Sequence, residues 1–326
     1  MSPLGGRCGT WPAREGRGSG ALRDAPPAVL SRSTPSEAPR PPVLAVDNAA
    51  MRFGIDIAQQ RLEWDELVRR FRLAEQLGFD GAWGFDHFQP LYGEGPGPCF
   101  EGMTTLAALA SATERIRLGL LVTGVTYRHP SILAAEAVTI DHASHGRLEL
   151  SLGAAWFDEE HRRLGIEFPP IGERIDRLED AVQMIPQLMT GEEVSFEGHH
   201  YRLDAARLRP LPVQRPHPPL WIGGRGERRM LPLIARHADV WHAFGSLGDL
   251  RRLSARLDAL ASDCGRDPAS ILHASSLSLS GDLDEVRRNA ESLRDAGFGY
   301  LVCGWPTEGE ERVHEFVEHV MAEFGA

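Results

Sequence analysis

"GAWGFDHFQP" occupies Gly81–Pro90. It begins as a short apolar strand and ends with Asp86 and His87 side by side between Phe85 and Phe88. A hydrophobic strand that finishes in an acid and an imidazole needs a fold in which strand interiors are buried and strand ends meet solvent. The flanking sequence supplies one. β-rich runs recur at 52–57 (RFGIDI), 81–88 (GAWGFDHF), 117–123 (RLGLLVT) and 148–155 (LELSLGAA). They continue at 219–224 (PLWIGG), 239–245 (DVWHAFG), 272–280 (LHASSLSLS) and 300–305 (YLVCGW). Amphipathic helical patterns lie between them. In "DELVRRFRLAEQLG", Leu67, Phe71, Ala74 and Leu77 share a face, and Gly78 ends the helix.

Eight strands, each followed by a helix, predict an α/β fold, a (β/α)8 TIM barrel. Their continuous apolar runs suit parallel strands buried on both faces. The segment 51–326 is close to the roughly 250 residues typical of such barrels. A doubly wound sheet fits less well, because no G-x-G-x-x-G follows the first strand. The interval between the fourth and fifth strands is too long for a plain connection. It holds a helix (ERIDRLEDAVQMIPQLMTG), a hairpin (EVSFEGHHYRL) and a Pro-rich return (RPLPVQRPHPPL). We expect a lid-like insertion there, over the barrel rim from Gly165 to Pro218.

Residues 1–50 differ in composition. They are rich in Gly, Pro, Ser and Arg with little periodicity, which predicts a disordered extension ahead of one barrel domain at 51–326. We expect Met51, followed at once by a strand, to be the natural start. "APPAVL" is too short for a signal peptide.

Bulk properties narrow the function. The net charge of -11 argues against a general nucleic-acid or anionic-membrane binder. No apolar run approaches the roughly 20 residues of a membrane span. The 4 cysteines form no C-x-x-C pair and suggest free thiols in a reducing cytoplasm. The chain has no lysine, so a Schiff base and a Walker-type phosphate site are excluded. Any anion site must use arginine or backbone N–H groups.

Barrel chemistry collects at the C-terminal ends of strands. Here those ends carry Asp56 with Gln59 and Gln60 beyond, Asp86-His87, "TGVTYRHP", Trp156, "IGGRGERR", Trp241 with His242, and Trp305. Trp156, Trp241, His242 and Trp305 predict a substrate pocket suited to a flat aromatic ligand. No metal site is expected. The first strand has no histidine, and His142 and His145 fall at a helix end on the opposite face. His199 and His200 read as solvated. In "LWIGGRGERR", the N–H groups of Gly223, Gly224 and Arg225 could hold an anion, with Arg228 or Arg229 adding charge. Glycine also closes tight turns, so this motif alone leaves both readings open. Asp86-His87 could be a satisfied buried pair. Its place at a strand end favours a functional role, with the imidazole moving protons.

Taken together, "RFGI", "AEQLGFDGAW", "DHFQP", "LAALASATERIRLGLLV", "YRHPSILAAEAVTIDHASHGRLELSLGAAW", "FPPIGERIDRLEDAV" and "PPLWIGGRGER" resemble the luciferase-like monooxygenase superfamily, and most closely its branch that uses the deazaflavin coenzyme F420. The resemblance covers nearly all of 51–326. It implies that Asp86 contacts the deazaflavin and that His87, the catalytic residue, faces its reactive carbon. It implies a bulge with a non-prolyl cis peptide near Leu121–Val122, supporting the ring together with Thr123 and with Ala154 and Ala155 of the fourth strand. It places the cofactor phosphate at Gly223, Gly224 and Arg225. Sugar-phosphate dehydrogenases of this branch carry a carboxylate where this chain has Trp156. A less polar substrate, such as a ketone, alcohol or enoate, is therefore expected.

The reading is a hydride-transferring oxidoreductase using F420 on a small organic molecule, a homodimer by family habit, with a separate flavin or F420 reductase as a possible partner. Alternatives are an FMN-dependent monooxygenase served by a flavin reductase, a non-catalytic flavin-binding barrel, and a metal-dependent hydrolase.

Overall fold

The computed structural model describes residues 51–325. The expectations for residues 1–50 lie outside the described residues. In chain order the elements are β1 (Arg52–Asp56), α1 (Trp64–Gln76), β2 (Gly81–Gly84), α2 (Gly102–Ala112), β3 (Arg117–Leu120), α3 (Pro130–Ala143), β4 (Leu148–Leu152), α4 (Asp158–Leu164) and α5 (Ile171–Met189). There follow β5 (Val194–Glu197), β6 (Arg202–Ala206), β7 (Leu220–Gly223), α6 (Met230–His237), β8 (Val240–Ala243), α7 (Leu247–Asp263), β9 (Leu272–Ser278), α8 (Leu283–Arg294), β10 (Tyr300–Gly304) and α9 (Glu310–His319).

Eight parallel strands close into a barrel in the order β1-β10-β9-β8-β7-β4-β3-β2. All eight expected strands are present. Each ends no later than the sequence pattern suggested, because the polar residues at the C-terminal ends leave the ladder to form the mouth. Side chains alternate along every strand. On β1, Phe53 and Ile55 pack outward in the main core. Trp83, Trp221, Val240, Leu272, Ala274, Tyr300 and Val302 pack inward as a second cluster. Trp83 and Trp221 meet with ring centroids 4.3 Å apart, and Tyr300 lies 5.1 Å from Trp221. Gly119 makes room for this plug, since a Cβ there would fall 2.3 Å from the Trp83 ring. The lower barrel is thus filled with aromatic rings, and the chemistry is confined to the upper end.

The long segment between β4 and β7 contains the expected helix, hairpin and Pro-rich return. Its parts go to different places. α4 stands at the mouth. α5 packs against α3 and α6 as an ordinary barrel helix. The β5–β6 hairpin is tied to the side of α5, where Asp180 accepts from the N–H groups of His199, His200 and Tyr201. The return reaches the other end of the barrel, where Gln214 donates to the Leu148 carbonyl and to Asp141. Covering of the mouth therefore falls to α4 and the loop before it, not to the hairpin. The reason is local: the buried Asp180 carboxylate anchors the hairpin turn on the barrel's flank. Among the described residues, no helix is long and apolar enough to cross a membrane.

Candidate active site

The mouth is assembled from the loops after β2, β3 and β4. His87 follows β2 and is buried, with its ring between the edges of Phe85, Trp156 and Phe157 at centroid distances of 5.3, 5.8 and 5.8 Å. Its Nδ1 lies 3.0 Å from Oε2 of Glu160, which α4 projects inward and which is fully buried. A carboxylate only accepts, so Nδ1 carries the hydrogen and Nε2 is the nitrogen left for proton exchange.

Glu160 is saturated with donors. It also accepts from the N–H groups of Phe88 (2.8 Å) and Gln89 (3.1 Å) and from the Tyr127 hydroxyl (2.6 Å). Burial alone pushes its carboxyl up. The hydrogen bonds from His87, Tyr127 and the Phe88 N–H outweigh that and hold it below the usual range. Its position in the first turn of α4 adds the favourable helix N-terminal field.

Asp86 is held differently. Its carboxylate accepts from Nη1 and Nη2 of Arg128 at 2.8 and 3.1 Å and from the Gly124 N–H at 2.9 Å. Arg128 also reaches Glu101, the N-cap residue of α2. At 2 % exposure, Asp86 links the β2 and β3 loops from beneath the mouth surface.

The Leu121–Val122 peptide is cis, and both residues are partly exposed at the mouth. The Val122 side chain sits over two glycines: a Cβ on Gly153 would come within 2.5 Å of it, and one on Gly223 within 3.1 Å. Close approach thus explains both glycines. Thr123 is buried and its carbonyl accepts from the Gly153 N–H. Ala154 and Ala155 are partly exposed, and Arg174 donates to the Ala154 carbonyl at 3.0 Å.

After β7, the Gly224 N–H is spent on the His242 carbonyl at 3.2 Å. Gly223 turns its open face to Val122. Arg225 and Arg228 are exposed on the rim, and Arg225 donates to the Phe244 carbonyl. Arg229 instead pairs with Asp176 on α5. Asp176, Glu179 and His199 form a cluster with metal-ligand spacing, but this Arg229 contact already compensates it.

The four pocket residues separate. Trp156 is 65 % exposed beside His87 and stacks on Phe157. His242 points into the barrel, with Nε2 3.2 Å from the Ser276 hydroxyl. Burial lowers its imidazole to about 4, so it is neutral. Trp241 and Trp305 are not at the mouth. Trp241 is fully buried in the layer between strands and helices, and its indole donates to the Gly224 carbonyl. Trp305 packs against the outer core with the Arg70 guanidinium 4.3 Å above its ring. Strand alternation is the reason: each is an odd step from an inward-facing neighbour.

One carboxyl was visible in the sequence only as a strand end. Asp56, the last residue of β1, shares the inward side with Gly54. Its Oδ1 is shut off from solvent and has no hydrogen-bond partner among the described residues. Burial raises it from 3.8 to about 7. The roles of Glu160, Tyr127 and Arg128 also escaped the sequence reading. Asp158, Glu159 and Glu160 are consecutive, and which of the three turns inward depends on how α4 meets the loop after β2.

The profile of the luciferase-like monooxygenase family matches residues 49–322. An F420-dependent hydroxymycolic acid dehydrogenase of Mycobacterium tuberculosis is 31% identical over 81% of this chain and 71% of its own length. An F420-dependent glucose-6-phosphate dehydrogenase of Microbacterium testaceum is 34% identical over 54% of this chain, and the match spans about half of that relative (52%). Among solved structures, an F420-dependent secondary alcohol dehydrogenase in complex with an F420-acetone adduct superposes with a TM-score of 0.75 at 19% identity, covering 84% of this chain and 99% of that one. With the closed parallel barrel and the His87 mouth, these likenesses show that the chain belongs to the luciferase-like monooxygenase family of oxidoreductases.

Proposed function

We propose that the protein uses the deazaflavin coenzyme F420 to move hydride to or from a small, fairly apolar organic substrate. The observation that carries this reading is His87, clamped at Nδ1 by Glu160 and boxed by three aromatic rings. Relatives described as F420-dependent support the choice of cofactor.

The residues present fit a planar ring. Val122 offers a flat apolar seat because glycines lie beneath it, and Phe85 and Trp156 line the approach. Bound deazaflavin would supply a carbon that accepts or gives a hydride. Leu121, Val122, Ala154 and Ala155 would support it, and Arg225 and Arg228 would meet its phosphate. Gly224 cannot donate there, since its N–H is already used. His87 would exchange through Nε2 the proton that the deazaflavin ring gains or loses along with the hydride. Asp86 would act mainly by fixing the loops through Arg128.

With Trp241 and Trp305 turned away, the apolar character of the site rests on Phe85, Trp156 and Phe157. A ketone or alcohol fits that lining better than a sugar phosphate. A homodimer and a separate reductase that recharges the cofactor belong to the same reading.

The test is direct binding of F420 and of FMN to the purified protein, measured separately by fluorescence. F420 should bind at least tenfold more tightly. Preferential binding of FMN would replace this reading with an oxygen-using monooxygenase, and binding of neither would remove both.

A further inference from the structure

Reduction of a ketone needs a proton at the substrate oxygen as well as a hydride at its carbon. With His87 serving the ring, the mouth offers few other groups for that role. Glu160 is saturated by donors and fully buried. Asp158 and Glu159 are exposed on α4, and Glu159 pairs with Arg163. At the strand-four end, Trp156 carries an indole N–H that can donate a hydrogen bond but does not ionise near neutrality.

One row across the barrel does. Asp56 on β1 is in register with Gly304 on β10, and Gly304 with Ser278 on β9. Alternation turns all three inward: Phe53 and Ile55 on β1, Leu301 and Cys303 on β10, and Leu277 on β9 all pack in the outer core. Adjacent strands stand about 4.8 Å apart, so Asp56 and Ser278 flank Gly304 at roughly twice that spacing. Its chain neighbours aside, a Cβ on Gly304 would meet no atom of the described residues within 4 Å. The missing side chain therefore leaves an open notch between a carboxyl and a hydroxyl. Ser278 is exposed, and its hydroxyl accepts from the Ser280 N–H at 3.3 Å, which leaves its O–H free to donate. Asp56 is partly exposed, with its Oδ1 buried and without a hydrogen-bond partner among the described residues.

We propose that the notch at Gly304 receives the substrate's carbonyl or hydroxyl oxygen, with Asp56 exchanging its proton and Ser278 hydrogen-bonding it. This rests on the proposed hydride-transfer function and adds a substrate subsite to it. In the reducing direction, the carbonyl carbon gains a hydride from the reduced deazaflavin as the C=O π pair takes the Asp56 proton. An alcohol and the Asp56 carboxylate result, and Asp56 regains its proton from water. In oxidation the carboxylate takes the hydroxyl proton as the carbon gives up its hydride to the oxidised deazaflavin. The near-neutral titration of Asp56 suits both directions. The other ionisable groups of this region are Tyr92, whose phenol is raised by burial and by the Asp56 charge, His87 with Glu160 behind it, and His242 on β8.

The test uses the full chain with cyclohexanone and cyclohexanol as probes. Infrared difference spectra across a pH titration should show a protonated-carboxyl band that vanishes near pH 7 in the wild type and is missing in Asp56→Asn. Cyclohexanone should shift that band, and Gly304→Val, which fills the notch where nothing crowds it, should abolish the shift. With F420 present, Gly304→Val should raise KM at least tenfold with F420 affinity unchanged, and Asp56→Asn should remove the pH dependence near neutrality from kcat/KM. A missing band, or a ketone-induced shift that survives Gly304→Val, overturns the proposal. Should Asp56→Asn fail to fold, Asp56→Ser serves for the band assignment. Because the infrared readout needs no cofactor, failure of F420 binding would sink the function while leaving the subsite decided on its own.

Discussion

Glu160 and Asp56 are two inward-directed carboxyls of one barrel mouth, and the protein treats them in opposite ways. Glu160 receives four hydrogen bonds and titrates below the usual range despite complete burial. Asp56 has a buried oxygen without a donor among the described residues and titrates near 7. Desolvation acts on both and raises both. The donors decide the sign. A carboxylate with all its lone pairs occupied is a fixed charge that orients its neighbour. One left under-satisfied can still gain or lose a proton, which is what general acid–base chemistry needs.

The largest effect follows from removing what Glu160 orients. His87→Ala should lower kcat by about 10²–10⁴-fold, the usual contribution of a positioned proton donor. F420 affinity should change little, because the platform at Val122 is untouched. Stopped-flow reduction and fluorescence titration separate the two; retained turnover would remove His87 from the chemistry.

Glu160→Gln breaks the saturated member of the pair. The amide keeps one acceptor but turns an NH₂ toward donors from His87, Tyr127 and two backbone N–H groups. Leaving such groups poorly paired costs about 1–3 kcal/mol. Turnover should fall less than in His87→Ala, with a changed pH profile because the His87 tautomer is no longer fixed. The linkage has a definite sign. A depressed folded-state pKa contributes stability above the unfolded value of about 4.3, and that stability is lost as pH falls through the folded pKa. The variant should therefore be less stable than wild type at neutral pH, and the gap should narrow on acidification. A gap constant with pH would mean that Glu160 is not ionised in its network.

Asp56→Asn tests the other member with the opposite sign. Its folded pKa is raised from 3.8 to about 7, so the folded state binds more protons than the unfolded state across that window. Wild-type stability should decline as pH rises from about 4 to about 7, and the Asn variant should not share the decline. Melting temperatures across that range should diverge in favour of Asn and then run parallel. Parallel curves throughout would place Asp56 among ordinary solvated carboxyls.

The barrel was readable from the chain because eight apolar runs, each followed by a helical pattern, have few other solutions, and the fold then assigns function to strand ends. The orientation of those ends was less readable. Trp305 follows the end of β10 and Trp241 is the second residue of β8, yet each points outward, because a one-residue step reverses the face. Glu160 could not be picked from three consecutive acids, since its inward turn is set by the docking of α4 against residues 88 and 89, far away in sequence. Gly223 reads in the sequence as a phosphate turn, and nothing in the chain signals that the Val122 side chain also lies close over it. Such contacts across the barrel leave no periodic trace in the chain.

Trp156 gives the smallest expected effect and bears on substrate class. It is 65 % exposed and touches its neighbours by ring contact with Phe157 and His87. Trp156→Ala should leave stability within about 0.5 kcal/mol, as exposed positions usually do. If its indole lines the substrate approach, KM for a bulky ketone should rise by roughly threefold to tenfold, the worth of one aromatic contact of about 1 kcal/mol. KM for acetone, too small to span the opening, should barely move, and kcat should hold for both because His87 and Glu160 are undisturbed. An equal rise for both ketones would mean that Trp156 orders the His87 loop and not the substrate. The Phe85 and Phe157 rings would then be the sole apolar determinants of what enters.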